Sequence, residues 1–200
     1  YRKLNVLQSV ISVTLLLLVY GISFFAFGIK ISLILIPLAM AIAFYFLKRL
    51  LNHNKVINLL MPSVTASILF SYVLNLGIMK PLLKFQSQSN AAEFIKENNY
   101  ESLDLYLYNE NEKAKSRSFN FYLDKNIKFI DSNFLRDKSN PKPQLVFTNE
   151  NGLKELKDNK NNFKIIEVFN HVRVSKLTSS FINPKTRYKV LKKKYLLRFI

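Results

Sequence analysis

No aspartate or glutamate occurs in residues 1–80, and this constrains the chain more than any other feature. The same stretch carries seven basic residues, all at the edges of apolar runs: Arg2 and Lys3, Lys30, Lys48 with Arg49 and Lys55, and Lys80. Charge confined to the rims of uncharged segments is what a bilayer imposes, because an ion in the hydrocarbon centre costs about 3 kcal/mol or more. Val6–Phe27 supplies 22 uncharged residues, about 33 Å of helix at roughly 1.5 Å per residue. Residues 31–47 form a shorter run, kinked at Pro37, for which a full crossing and a re-entrant or tilted segment are both compatible with the length. Residues 56–78, with Pro62 inside, make the third. Three transmembrane helices are therefore expected at about 6–27, 31–47 and 56–78, followed by a soluble domain over 81–200.

Basic residues in the short connections set the orientation. Residues 48–55 hold two lysines and an arginine outside the expected spans, and the N-terminal flank holds Arg2 and Lys3, whereas the first turn offers only Lys30. The N-terminus is thus expected in the cytoplasm and residues 81–200 on the outer face, periplasmic for an inner-membrane protein. In the third span Ser63, Ser67, Ser71 and Asn75 recur every four residues. Small and hydroxylated side chains on one stripe let helix backbones approach and hydrogen-bond, so the stripe is expected to pack against other helices; a groove lined by Ser71 and Asn75 is the alternative.

Residues 81–200 hold 23 basic and all 13 acidic residues, and their pattern alternates helix and strand. A short helix is expected after Asn90 as N-cap, with Glu93 reaching back. Leu103, Leu105 and Leu107 alternate with Asp104, Tyr106 and Tyr108, which predicts a strand over 103–109. A helix over 116–126 packing Phe119, Tyr122 and Leu123, a strand over 127–131, a strand over 143–149 and a helix at 150–157 capped by Asn149 follow. Residues 163–169 and 172–177, joined by Asn170 and His171, predict a hairpin. Residues 132–142 and 157–162 read as polar linkers. In "VSKLTSSFINPKTR" (174–187), Asn183 is expected to cap a helix whose first position is Pro184, turning the chain so that the last segment docks on the sheet. The whole predicts a small α/β domain with a mixed sheet.

Several chemistries lack their residues. With no cysteine and only His53 and His171, there is neither a thiol nucleophile nor a soft-ligand metal cluster. Gly21, Gly28, Gly77 and Gly152 are too scattered for a phosphate-binding loop. Asp104 and Asp131 sit at strand ends, Glu110 and Glu112 in a turn, and His171 in the hairpin turn, positions typical of surface groups and caps. Basic charge crowds into the last 30 residues, at Arg173, Lys176, Lys185, Arg187, Lys192, Lys193, Lys194 and Arg198. A surface meeting anionic headgroups or a phosphorylated glycolipid and an ordinary solubilising face both fit this, whereas nucleic acid does not suit a domain on the outer face.

Three segments together carry a resemblance: Ser89, Ala92 and Ile95 in an S-x-x-A-x-x-I spacing, Ser118–Leu123 in "SFNFYL", and Val174–Arg187 in V-S-x-L-T…F-x-N-P-x-T-R. They resemble the tail of bacterial membrane glycosyltransferases of the protein O-mannosyltransferase and lipid A aminoarabinose transferase superfamily, the GT-C fold. The resemblance implies transfer of a sugar from a polyprenyl-phosphate donor to a lipid or protein acceptor at the outer face, with the phosphate as leaving group. That family's catalytic carboxylate lies in the first outer loop of the full protein. No residue here matches it, since residues 1–80 lack any acid. The chain is therefore expected to be a C-terminal fragment, inactive alone, that partners the N-terminal helices of the same protein and membrane lipids. No cofactor is expected in this chain, and the resemblance leaves open a divalent metal in the catalytic part. Arg173, Lys176, Lys185 and Arg187 are the expected headgroup or acceptor contacts. A membrane-anchored binding module, complete in itself and not an enzyme, is the rival reading.

Overall fold

The computed structural model describes residues 2–28, 30–50, 55–109, 117–136, 144–174 and 177–200, and the chain divides into two compact units. One comprises the chain up to Leu83 together with Thr178–Tyr188; the other comprises Lys84–Leu177 and Lys189–Ile200.

The first unit contains α1 (Arg2–Phe27), α2 (Ser32–Leu50), α3 (Lys55–Val73) and α4 (Lys80–Leu83). Between α3 and α4 the helix widens to a π-helix over Leu74–Met79, where the Lys80 N–H bonds to Asn75 O. Pro81 follows at once and offers no N–H, so the ordinary helical ladder is already broken at this place. Among the described residues two stretches are long and apolar enough to cross a membrane, Val6–Phe27 with a mean hydropathy of 2.4 and Leu60–Leu83 with 1.5. Two rather than three spans is a correction to the sequence reading. The apolar part of α2, Ser32–Leu47, is only about 24 Å long at roughly 1.5 Å per residue, short of a ~30 Å hydrocarbon core.

The second unit runs α5 (Ser87–Glu97), β1 (Leu105–Tyr108), α6 (Arg117–Leu123), β2 (Lys128–Ile130), α7 (Ser132–Arg136), β3 (Leu145–Asn149), α8 (Glu150–Asp158) and β4 (Phe163–His171). The chain then passes through α9 (Ser179–Ile182), which belongs to the helical unit, and returns as β5 (Lys192–Phe199). The sheet order is β2-β1-β3-β5-β4. β1 pairs parallel with β2 and β3, while β5 lies antiparallel to both β3 and β4. This is the mixed sheet of an α/β unit.

Strand alternation sorts the core into two layers. Leu105, Leu107, Leu145, Phe147 and Leu196 face Ala91, Ala92 and Ile95 of α5 and Phe119 of α6. Phe119 and Phe147 meet edge-to-face, 5.0 Å between ring centroids. Tyr106, Tyr108, Val146 and Leu197 face Leu153 and Leu156 of α8, with Phe134 and Leu135 of α7 beside them. Because β1 is covered on both faces, all four of its residues are buried, and the expected division into an apolar and a polar side gives way to two buried ones.

Local chemistry explains several helix ends. Asn149 is extended, and its Oδ1 accepts the Gly152 N–H at 2.9 Å, capping α8 as expected. Asp131 does the same for α7, accepting the Phe134 N–H at 2.8 Å. With only four glycines in the chain, the left-handed residues just after α5, α6 and α8 are Asn99, Asp124 and Lys160, at φ 58°, 50° and 53°.

Other expectations fail for identifiable reasons. α5 begins at Ser87, not after Asn90, whose amide instead donates to Lys84 O at 2.8 Å. Residues 132–136, expected in a linker, form α7, because Phe134 and Leu135 find apolar cover. Tyr122, expected in the core with Phe119, is exposed beside Phe121. The hairpin at 163–177 does not form: Asn170 and His171 are strand residues opposite Lys193 and Lys192, and the Val172 N–H bonds to Phe85 O at 3.0 Å. The partner of β4 comes from the far end of the chain.

Candidate functional site

The "FINPKTR" segment, expected to open a helix, is instead a capped turn within the helical unit. α9 ends at Ile182, before Asn183. Asn183 and Pro184 then take the first two places of a β-turn closed by the Thr186 N–H to Asn183 O at 3.1 Å, and Asn183 Oδ1 accepts the Lys185 N–H at 3.0 Å. Asparagine at the first turn position and proline at the second have a ready reason, a side-chain acceptor and a preset φ. The Thr186 hydroxyl donates to Ser180 O at 2.8 Å, so the turn consumes its own polar groups.

Arg187 extends that logic to the first helix. Its Nε donates to Phe181 O at 2.8 Å, and its Nη2 donates to Ile182 O at 3.4 Å and to Ala26 O. The guanidinium carbon lies 5.0 Å from the ring centroids of both Phe27 and Phe181. Ala26 stands in the last turn of α1, where carbonyls have no intrahelical donor. A cation there satisfies the carbonyl and complements the negative end of the helix dipole. Burial lowers the Arg187 pKa from its ordinary value, the desolvation cost of this position.

The expected contact set Arg173, Lys176, Lys185 and Arg187 is accordingly divided. Lys185 and Arg187 belong to the helical unit and Arg173 to the sheet unit, while Lys176 lies outside the described residues. Arg187 is committed to backbone carbonyls. Lys185 and Arg173 are exposed.

Within the helices, Tyr20 and Tyr72 carry a function that the sequence reading did not assign. The Tyr20 hydroxyl donates to Leu33 O at 3.0 Å and the Tyr72 hydroxyl to Ser32 O at 3.1 Å. Pro37 stands four residues after Leu33 and has no N–H, so Leu33 O lacks its helical partner and Tyr20 supplies one. The signal available in sequence was that proline. Gly77 packs against α1 and α2: a Cβ there would lie 2.3 Å from Ser23 Oγ and 3.3 Å from Leu33 Cδ1. Leu69, Val73 and Gly77 form the buried side of this helix, whereas Ser67, Ser71 and Asn75 are exposed and Ser63 is half-buried. The Asn75 amide donates to Ser71 O at 2.9 Å.

In the sheet unit, Ser87 Oγ and His171 Nδ1 are 3.0 Å apart where α5 meets the end of β4. Ser87 is buried, and this contact ties two elements together. Burial first, and Glu150 second, push the Tyr195 phenol up from its ordinary value. Asp104 is exposed and Asp131 serves as a cap; His53, Glu110 and Glu112 lie outside the described residues. Among the described residues no three His, Asp or Glu side chains are placed to share a metal ion. No protein-family model, curated protein or solved structure matches the chain.

Proposed function

We propose that the chain is the C-terminal portion of an inner-membrane glycosyltransferase of GT-C type, moving a sugar from a polyprenyl-phosphate donor to a lipid or protein acceptor. In this reading the catalytic carboxylate belongs to the N-terminal helices, and the present chain supplies closing helices and the α/β unit; the outer-face position expected for that unit needs an odd number of crossings, and so requires the shorter α2 to cross a locally thinned bilayer as well. The observation that carries it is the fate of the segment on which the resemblance rests. Phe181 is buried, Asn183, Pro184 and Thr186 make the turn, and Arg187 caps α1, so every distinctive residue of F-x-N-P-x-T-R has a structural task.

A membrane setting has separate support. In the most apolar 18 residues of each long stretch, only 17 % and 28 % are buried within the protein. Val10, Leu17 and Phe25 of α1 are among the large apolar side chains left more than half exposed. Surface of that extent requires lipid or further helices around it. The exposed Ser67, Ser71 and Asn75 stripe suits the second of these, packing against the N-terminal helices.

The test is transfer of a labelled sugar from polyprenyl phosphate in membranes holding the full-length gene product, with the chain from Tyr1 onward as the inactive comparison. A gene that begins just before Tyr1, adding no further helices and no acidic first loop, would return the chain to the binding-module reading. Sidedness is checked independently. The chain lacks cysteine, so Lys154→Cys should react with an impermeant thiol reagent in intact spheroplasts; protection there reverses the orientation.

A further inference from the structure

The second long apolar stretch contains a break in its helical ladder. Leu74–Met79 is a π-helix, and the Lys80 N–H bonds to Asn75 O, five residues back, where an α-helix would send it to Leu76 O. Pro81 has no N–H to give. The donor it lacks is the one that Leu76 O needs at the wide spacing and the one that Gly77 O needs at the ordinary spacing. An unbroken α-helix through this place thus carries a defect of its own, and loses part of its usual advantage over the π-helix.

Beside this break stands a hydroxyl with nothing to bond. Ser23 of α1 is fully buried, and its Oγ has no hydrogen-bond partner among the described residues, a costly state for a polar group shut away from water. Ser23 Oγ is also the nearest atom to the place that a Cβ on Gly77 would take. It therefore lies against the residue whose carbonyl would go without a donor if residues 74–80 took the ordinary ladder. Serine hydroxyls are known to satisfy carbonyls that a proline has freed in membrane helices.

We infer that Leu74–Met79 is a register switch, changing between the π-helix and an α-helix in which the Lys80 N–H moves to Leu76 O and Ser23 Oγ donates to Gly77 O. The hydroxyl that is idle in one register is the donor that the other needs. One residue is a step of about 100° around an α-helix, so the change turns residues 60–73 by about that angle relative to Gly77 and α1. Phe70 and Leu74 then move toward the places that Leu69 and Val73 hold, and the packed face stays apolar in either register. Tyr72, whose hydroxyl donates to Ser32 O at 3.1 Å, loses that bond in the turn. The exposed Ser67 and Ser71 are carried through the same angle, so a further helix packed on them selects the register.

The test is the distance between spin labels on Leu17→Cys and Val64→Cys in the full chain, purified in detergent. The chain has no other cysteine, and both positions are exposed. A turn of about 100° on a helix about 5 Å in radius displaces the second label by up to about 8 Å. Pro81→Ala restores an N–H for Gly77 O, and Tyr72→Phe removes the bond that holds the present register. Each should enlarge the population at the second distance about tenfold. Adding Ser23→Ala should reverse the effect of Tyr72→Phe, because the other register then lacks its donor. It should leave the effect of Pro81→Ala in place, since residue 81 itself then supplies Gly77 O. Circular dichroism checks that the variants keep their helix content. An unchanged distance in either variant, or a Ser23→Ala effect equal in the two backgrounds, would overturn the switch.

Discussion

Replacing Arg187 by methionine removes the guanidinium while keeping most of the apolar stem, and the structure sets the size of the expected effect. Hydrogen bonds from a charged donor are worth about 1.5 kcal/mol or more each, and Arg187 makes good ones to Phe181 O and Ala26 O. The two ring contacts at 5.0 Å add about 0.5–1 kcal/mol apiece. Part of this loss is offset, because the buried cation no longer has to be desolvated. Ala26 is 2 % exposed, however, so its carbonyl loses a donor where water has little access, which counters that gain. A net loss of about 3 kcal/mol follows, or about a hundredfold in the local opening equilibrium. The assay is hydrogen exchange on the full chain, read over 178–188, where the N–H groups of Ile182, Asn183 and Thr186 are bonded internally. Exchange there should accelerate about a hundredfold in R187M. R187K should fall between, since an ammonium keeps the charge but not the planar fork that spans several carbonyls. Acceleration of less than about threefold, with helix content unchanged, would refute the clamp.

Three further outcomes are expected from the same contacts. Tyr20→Phe should cost about 1 kcal/mol of thermal stability in detergent, and the loss should largely vanish in a Pro37→Ala background, where residue 37 regains the N–H for Leu33 O; equal losses in both backgrounds would disconnect Tyr20 from Pro37. Gly77→Ala should destabilise the helices by about 1–3 kcal/mol, since the added Cβ lies 2.3 Å from Ser23 Oγ, with partial rescue by Ser23→Ala; a neutral substitution would show that this approach is looser than described. Lys160→Gly should stabilise the sheet unit by about 1 kcal/mol in urea unfolding, because Lys160 closes α8 at φ 53°, a conformation glycine adopts without strain; a loss would mean that its side chain outweighs the backbone cost.

Features governed by neighbours along the chain are legible in the amino-acid sequence. The span at 6–27 follows from its length without charge, and β1, β3 and α8 from alternation and an asparagine cap. The mixed α/β character follows from their order. The site residues are less legible, for one recurring reason. Arg187, Lys185 and Arg173 share a type and a crowded stretch of sequence, so they read as one basic surface; the fold instead gives Arg187 to the end of α1 and leaves Arg173 on the sheet unit. The repeat of Ser63, Ser67, Ser71 and Asn75 marks a helix stripe correctly by spacing, yet spacing carries no information about which stripe meets α1. Leu69, Val73 and Gly77 do so in this chain.

By itself the sequence determined where apolar surface must be hidden, which segments have the period of helix or strand, and which residues suit caps and turns. These are properties of the backbone and of side chains within a few positions of each other. The tertiary structure decided which distant segments pair. β5 runs between β3 and β4, and Arg187 reaches a carbonyl 161 residues earlier. Closing so long a loop costs only slightly more entropy than closing a short one. A distant partner that buries two faces of a strand, or satisfies a helix end, therefore prevails over the local hairpin that the 163–177 pattern suggested. Periodicity encodes how much of a segment is buried, and only packing specifies against what.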